Sequence, residues 1–196
     1  MQPQTFIFLG PSGCGKGTQA KLLQEEIKKK YPEQKIIYIE TGEGFRKLTQ
    51  TQSFTSQRVK KILDQGELVP EFMPIYIWTK RLVEELSPDV TIFFDGTPRK
   101  LGEAYILSDA LKFYERENPM VISINASNEW VTKLMKDRGR TDDNEEDIKN
   151  RLDWFKEKVL PTVEYLKNNH YYKFIEINGE QTIDEVHKEI ISKIGL

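Results

Sequence analysis

The sequence has little cysteine, little histidine and almost no net charge. Its 196 residues include one cysteine, Cys14, and two histidines, so neither a disulfide within the chain nor a cysteine-rich zinc cluster can form. The formal net charge is −2, which gives the whole surface no attraction for a polyanion such as a nucleic acid. Any site for a phosphorylated ligand must therefore be built from local positive groups.

Long apolar runs are also absent. No run approaches the roughly 20 residues of a membrane-spanning helix, and with a strand expected to begin at about Thr5 we expect no secretion signal. The composition, 38% hydrophobic and 31% charged, is typical of one globular domain. We expect a cytoplasmic protein that binds neither a membrane nor nucleic acid and whose one thiol stays reduced.

The most informative segment present is GPSGCGKGT at residues 10–18, directly after the apolar run 6–9. The pattern G-x-x-x-x-G-K between a strand and a helix predicts a phosphate-binding loop, and this context disfavours a chance glycine-rich turn. Backbone N–H groups and the positive end of the helix then face the phosphates, and Lys16 reaches the outer ones. Gly17 stands where such loops usually carry a Ser or Thr ligand of magnesium.

Five short apolar runs, with helical patterns between them, predict an α/β fold. Strands that alternate with helices form a parallel sheet covered on both faces, so we expect a three-layer, five-stranded architecture. Ligands bind beyond the carboxyl ends of such strands, where we expect the polar segments 10–18, 40–46, 95–99, 125–127 and 178–181. The predicted strands are 6–9, 36–39, 91–94, 121–124 and 174–177, and the predicted helices are 18–30, 74–86, 145–168 with a kink at Pro161, and 182–194.

Arginine is scarce relative to lysine, eight residues against 21, and five of the eight occupy special positions. Guanidinium groups bind phosphate oxygens in a bidentate fork and stay charged. Phosphoryl transfer needs positioning and positive charge around the moving group, which a lysine loop with several arginines supplies. The alternative for each arginine is a surface ion pair, for example with the acidic run 142–147. The five are Arg46, Arg99, Arg138, Arg140 and Arg151.

In order and spacing, these segments resemble the motifs of the adenylate kinases, a family of nucleoside monophosphate kinases. The resemblance covers essentially the whole chain, and its short motifs are specific only in combination. Residues 10–19 resemble GxxGxGKGTQ, 41–46 resemble TGDxxR, 66–70 resemble GxLVP, 95–99 resemble DGFPR, 101–104 resemble LxQA, and 138–143 with 151–152 resemble RGRxDD…RL.

The resemblance implies a reversible, magnesium-dependent transfer of a phosphoryl group from ATP to AMP, which gives two molecules of ADP. It implies a P-loop NTPase fold as one kinase domain, 1–196, with a core of 1–40, 70–137 and 144–196, an acceptor-binding insert of 41–69 and a short lid of 138–143. It also implies a monomer without structural zinc. Magnesium would be bound with ATP and have no direct protein ligand, and Asp95 would contact it through water.

Individual roles come only from the matched motifs. The residues expected to act on the transferred group are Lys16, Arg99, Arg138, Arg140 and Arg151. ATP is expected to contact Gly13, Cys14, Gly15, Lys16, Gly17, Thr18, Arg138 and Gln181. AMP is expected to contact Thr41, Arg46, Glu67, Leu68, Val69, Gly96, Thr97, Pro98, Arg99, Glu103, Arg140 and Arg151.

Three positions depart from the family motifs, and all concern base recognition. Glu103 replaces a glutamine, so an ionised side chain can accept from a base but cannot donate to it. Thr97 replaces an aromatic residue, and Leu134 stands where the family often has an arginine. These departures leave open a preference for another monophosphate (GMP, CMP, UMP or a deoxynucleotide), or a nucleotide-binding regulatory protein with weak turnover. Elsewhere, we interpret Trp78, Trp130 and Trp154 as packing residues, and Asp142 and Asp143 as partners of arginines.

Overall fold

A sheet of five parallel strands forms the centre of the computed structural model, which describes residues 2–139 and 144–196. The expectations for Arg140, Asp142 and Asp143 fall outside the described residues. The predicted α/β fold with a five-stranded parallel sheet is confirmed, as are all five predicted strands. The strands are β1 (Thr5–Leu9), β2 (Lys35–Glu40), β3 (Val90–Asp95), β4 (Met120–Asn125) and β5 (Lys173–Asn178), in the order β2-β3-β1-β4-β5.

Helices cover both faces of the sheet, and the predicted helices 18–30, 74–86 and 182–194 are confirmed to within two residues at each end. No helix in the described ranges is both long enough and apolar enough to cross a bilayer. Within those ranges the α-helices are α1 (Lys16–Lys30), α2 (Thr41–Leu48), α3 (Phe54–Leu63), α4 (Phe72–Glu85), α5 (Leu101–Phe113), α6 (Asn128–Arg138), α7 (Glu145–Trp154), α8 (Leu160–Asn168) and α9 (Ile183–Ile194).

The kink predicted in segment 145–168 is a π-helical turn, Phe155–Val159, that joins α7 to α8. The turn precedes Pro161 rather than coinciding with it. Pro161 lies in the first turn of α8, where its missing N–H is tolerated, but it cannot bond to the carbonyl of Glu157 four residues earlier. The backbone hydrogen bonds therefore change to the wider π-helical pattern before the proline, and α7 ends at Trp154.

The strands read as unbroken apolar runs because both of their faces are buried. Phe6 and Phe8 of β1 pack in one core with residues of α1 and α9, and Ile7 and Leu9 pack in a second core on the other face. A third, smaller cluster lies in the segment 45–73 and contains Phe45, Val59, Val69 and Met73. This third cluster joins α2 and α3 to the start of α4.

Candidate active site

The carboxyl ends of the strands bring the predicted polar segments to one edge of the sheet. Glu40 at the end of β2 is in register with Asp95 at the end of β3. Asn125 at the end of β4 is likewise in register with Asn178 of β5. The glycine-rich loop follows β1, which is the central strand, so it lies between these two pairs of strand ends.

Lys16 begins α1, and its ammonium group lies against the glycine-rich loop. Its Nζ donates to the carbonyl oxygens of Gly10 and Pro11, at 2.8 Å each. The N–H groups in the first turn of α1 have no partners within the helix, so with the loop they form an anion-binding end. Gly10 is required here, because a Cβ at its φ of +140° would lie 2.4 Å from the carbonyl oxygen of Ile124. Burial raises the pKa of the Cys14 thiol, and its side chain packs in the core that contains Phe6 and Phe8.

Asp95 explains why glycine follows the loop lysine. The Oδ2 atom of Asp95 accepts a hydrogen bond from the Tyr38 hydroxyl at 2.8 Å. A Cβ on Gly17 would lie only 3.1 Å from that Oδ2 atom, so the usual Ser or Thr would crowd the carboxylate. Burial raises the pKa of Asp95, while the charge of Lys16 and the Tyr38 hydrogen bond act in the opposite direction. Burial and the Asp95 charge also raise the pKa of Tyr38, which stays a donor.

The residues near Asp95 fit a magnesium ion that is held chiefly by the phosphates of ATP. Within residues 2–139 and 144–196, no three His, Cys, Asp or Glu side chains are grouped closely enough to hold a metal. Magnesium keeps several water ligands and usually binds through substrate phosphates with one or two carboxylates. One buried carboxylate beside the phosphate loop, oriented by Tyr38, is a donor set that such an ion can use.

Arg99 and Lys16 line the same cavity. The Nε atom of Arg99 donates to the carbonyl oxygen of Gly96 at 2.8 Å, which fixes the base of the guanidinium group. Burial lowers the pKa of Arg99, while the carboxylates of Glu103 and Asp95 raise it, and a guanidinium remains a cation in proteins. Lys16 at the start of α1 and Arg99 in the loop after β3 therefore place two positive charges at one small cavity. Binding of several phosphate groups requires such an arrangement.

Thr41 of α2 contacts the loop that lines this cavity, and Arg46 lies farther along the same helix. The Thr41 hydroxyl donates to the carbonyl oxygen of Gly96 at 2.9 Å and so joins the start of α2 to the loop after β3. Arg46 forms an ion pair with Glu40 at 2.6 Å, and its side chain is 54% exposed. An acceptor phosphate that binds Arg46 must share it with Glu40 or displace Glu40. Glu40 lies in the polar segment 40–46 expected at this edge of the sheet, but no motif assigns it an individual role.

Residues 8–171 match the family model for adenylate kinase. The chain belongs to the adenylate kinase family. Adenylate kinase of Leptospira biflexa is 36% identical over 193 residues, which cover 96% of this chain and 98% of that protein. Adenylate kinase 1 of a Nostoc species is 32% identical over 190 residues, which cover 97% of this chain and 98% of that protein. As a family member the chain is a phosphotransferase, and the phosphate loop, Thr41 and Arg99 lie within the matched span.

Two of the three departures from the adenylate kinase motifs contact each other. Glu103 is 1% exposed, and its carboxylate accepts from the Thr97 hydroxyl and, at 2.7 Å, from the backbone N–H of Arg99. The aromatic ring that the family carries at position 97 would offer no such hydroxyl donor. Thr97 and Glu103 therefore act as a pair that holds the 96–100 loop, which carries Arg99.

The buried Glu103 carboxyl should make stability depend on pH. Burial raises its pKa above the ordinary value, so the folded protein binds the proton more tightly than the unfolded chain does. The contribution of Glu103 to stability should therefore fall as pH rises through the interval between the ordinary and the raised pKa. We expect the free energy of unfolding of Glu103→Gln, relative to the parent, to increase with pH, as measured by denaturant titration between about pH 4 and pH 8.

Asp109→Asn is the matched control, because Asp109 lies on the same helix and is exposed. Its unfolding free energy relative to the parent should not show the rise expected for Glu103→Gln. A Glu103→Gln difference that stays flat across this range, or that falls with pH, would contradict the buried and ionising state assigned to Glu103.

The turn 66–70 contacts the rest of the molecule at two points that no local sequence pattern indicates. The carbonyl oxygen of Gly66 accepts from Nε1 of Trp154 at 3.1 Å, and that of Val69 accepts from Nζ of Lys100 at 3.4 Å. The interpretation of tryptophans as packing residues is confirmed for Trp78, which is fully buried. It is incomplete for Trp154, which lines the cavity of Lys16 and also tethers this turn.

Beyond the phosphate loop, residues expected near the two nucleotides lie on α6, on α7 and in the loop before α9. Arg138 ends α6, and Leu134 lies one turn earlier with 37% of its side chain exposed. Gln181 donates from Nε2 to a carboxylate oxygen of Glu189 at 2.8 Å, which orients its amide. The positive charge of Arg151 acts to lower the pKa of Arg99, so these two guanidinium groups are close to each other.

Proposed function

We propose that this protein transfers the γ-phosphoryl group of magnesium-bound ATP to AMP, reversibly, and so forms two molecules of ADP. The observation that carries the proposal is the cavity shared by Lys16 of the phosphate loop and Arg99 of the acceptor-side loop. The Thr41 hydroxyl donates to the carbonyl oxygen of Gly96 in that loop, so the segment 41–46 expected to bind the acceptor begins next to the same cavity. Direct transfer between two nucleotides needs their phosphates side by side, and the relatives named adenylate kinase support adenine at both ends.

On the donor side, Lys16 and the N-terminus of α1 bind the β- and γ-phosphates. The ammonium of Lys16 bonds to two loop carbonyls, so it is already positioned beside the phosphate-binding loop before ATP arrives. Magnesium, when bound, neutralises and orients the phosphate oxygens. Asp95 would accept hydrogen bonds from water molecules bound to that ion, and the hydrogen bond from Tyr38 holds its carboxylate in place for this task. Charge that develops on the moving group thus meets fixed positive groups in a site from which water is partly excluded.

On the acceptor side, Arg46 and Arg99 bind the phosphate of AMP, and Thr41 contacts the nucleoside. Glu103 holds the loop of Arg99, because the Thr97 hydroxyl and the Arg99 backbone N–H already donate to its carboxylate. A carboxylate offers about four lone-pair directions, so capacity remains for an amino group on the acceptor base. The 6-amino group of adenine is such a donor, which fits AMP as the acceptor.

The remaining assignments stay predictions. They include the division into core, insert 41–69 and lid 138–143, the monomeric state, and the cytoplasmic location. The expected base and phosphate contacts are predictions for the same reason, including those of Arg138, Arg140 and Arg151 around the transferred group. The contacts of AMP with Glu67, Leu68, Val69, Thr97 and Pro98, and those of ATP with Gly13, Gly15, Thr18 and Gln181, belong to the same group.

An acceptor panel tests the proposal. With magnesium ATP fixed, ADP formation is followed for AMP, dAMP, GMP, IMP, CMP and UMP in a coupled assay. AMP should give a kcat/KM at least about tenfold above that of IMP, because an oxo group replaces the amino group that Glu103 is expected to accept from. An ordering in which GMP or CMP exceeds AMP would contradict AMP as the acceptor. No turnover with any of the six would contradict the kinase function.

A further inference from the structure

Trp154 contacts both the acceptor-side arginine and the acceptor insert. Its Nε1 atom donates to the carbonyl oxygen of Gly66 at 3.1 Å. The face of its ring lies against Arg99, with 5.3 Å between the guanidinium carbon and the ring centre. The ring also lines the cavity that contains Lys16. One rigid side chain therefore connects the turn of the insert with a cation of the phosphate cavity.

The turn at Gly66 docks along one stripe of α7, not on Trp154 alone. Gly66 has a φ of +67°, and a Cβ there would lie 3.1 Å from Oδ1 of Asp147 and 3.3 Å from Nδ2 of Asn150. The Asn150 amide also donates to the carbonyl oxygen of Gln65 at 3.4 Å. Positions 147, 150 and 154 follow the helical spacing of one face, so α7 presents a continuous surface to the turn. Glycine at position 66 allows the backbone to approach this surface closely.

We propose that Trp154 is a positioning residue that couples docking of the Gln65–Gly66 turn to the placement of the Arg99 guanidinium. This inference rests on the proposed function, in which Arg99 binds the acceptor phosphate. The indole N–H bonds to Gly66 only when the turn is docked on α7, and that bond fixes the rotation of the ring. A fixed ring supports the flat face of the guanidinium, so that its N–H edge is held for a phosphate. Docking of the turn thereby completes the Arg99 site, so that an acceptor phosphate bound there and the docked turn favour each other.

Two substitutions separate the two contacts of Trp154. Trp154→Phe removes the N–H that bonds to Gly66 but keeps an aromatic face beneath Arg99. We expect it to raise the KM for AMP about tenfold, with kcat within about twofold of the parent, because docking of the insert is weakened. Trp154→Leu removes both contacts. We expect the same rise in KM and a further fall in kcat of at least about tenfold, because Arg99 is no longer held for the transferred group.

Trp78→Phe is the control for the loss of packing. Trp78 is fully buried and packs edge-on against Phe94 in the core. This variant should melt at a lower temperature than the parent, yet keep both kinetic constants within about twofold. The decisive readout is therefore the split between KM and kcat across the two Trp154 variants, which a general loss of stability does not produce.

Each outcome decides the proposal. Kinetic constants of both Trp154 variants that match the parent would overturn it, as would equal changes in the Phe and Leu variants. Loss of activity that only follows melting temperature, as in Trp78→Phe, would overturn it as well. A parent enzyme that fails to phosphorylate AMP would instead overturn the proposed function, and this result is visible before any variant is compared. A raised KM in Trp154→Phe with a preserved kcat, and a lowered kcat in Trp154→Leu, would support it.

Discussion

Replacing Lys16 with methionine should lower kcat for ADP formation by about 10³-fold. Methionine has a similar length but lacks the ammonium group that lies against Gly10 and Pro11 in the phosphate loop. The ammonium acts on charge that develops as the phosphoryl group moves, so its loss raises the transition-state energy more than the ground-state energy. The KM for ATP should therefore change less than kcat does, as measured by steady-state kinetics with saturating AMP.

Lys21→Met controls for the loss of a positive charge on the same helix, because Lys21 lies on α1 and is exposed. It should retain the parent's kcat. Lys16→Met should keep a cooperative thermal transition, because the core residues around α1 are unchanged. A Lys16→Met enzyme with kcat within about tenfold of the parent would show that the ammonium does not act on the transferred group.

Replacing Arg99 with glutamine should lower kcat/KM for AMP by about 10³-fold. The guanidinium is held by the Gly96 carbonyl and the Trp154 ring, and it lines the cavity with Lys16. Glutamine removes both the charge and the planar fork. Arg99→Lys restores the charge without the fork and should recover only part of the loss, about tenfold, because lysine binds phosphate as a point charge. The measurement is kcat/KM for AMP at fixed magnesium ATP.

Arg81→Gln is the matched control, since Arg81 forms an exposed ion pair with Glu85 on α4. It should leave kcat/KM for AMP within about twofold of the parent. Full recovery of activity by Arg99→Lys would mean that charge alone matters at position 99. That result would contradict the role given to the oriented guanidinium face, and with it the support provided by Trp154.

The sheet could be predicted from sequence because both faces of its strands are buried. Burial on both faces turns strands into unbroken apolar runs, of which the segments 6–9 and 91–94 of β1 and β3 are examples. The position of the site then follows from topology, since parallel strands end at one edge and the glycine-rich loop follows the central strand. Pro161 predicts a break in segment 145–168. That the break is a π-helical turn before the proline depends on how the carbonyl group of Glu157, which Pro161 cannot bond to, is accommodated.

Contacts between distant positions could not be predicted in this way. Trp154 lies 88 positions from Gly66, and no local pattern shows that its indole N–H reaches that carbonyl. Thr97 and Glu103 were read as two separate departures from the family motifs, yet one bonds to the other. Their substitutions are consistent only as a pair, because a buried carboxylate needs donors near it. Rules based on composition or spacing do not show that these two side chains bond to each other, whereas the folded structure of the 96–100 loop does.

The most direct test of the central claim is to give the protein magnesium and ADP alone. The two-nucleotide site predicts that one ADP acts as donor and a second as acceptor, so ATP and AMP should appear in equal amounts. Phosphorus NMR resolves the three nucleotides and follows the approach to equilibrium in one sample. Lys16→Met should slow this conversion by about the same 10³-fold as the forward reaction, since both directions share one transition state. An ADP signal that stays constant under these conditions would contradict the account.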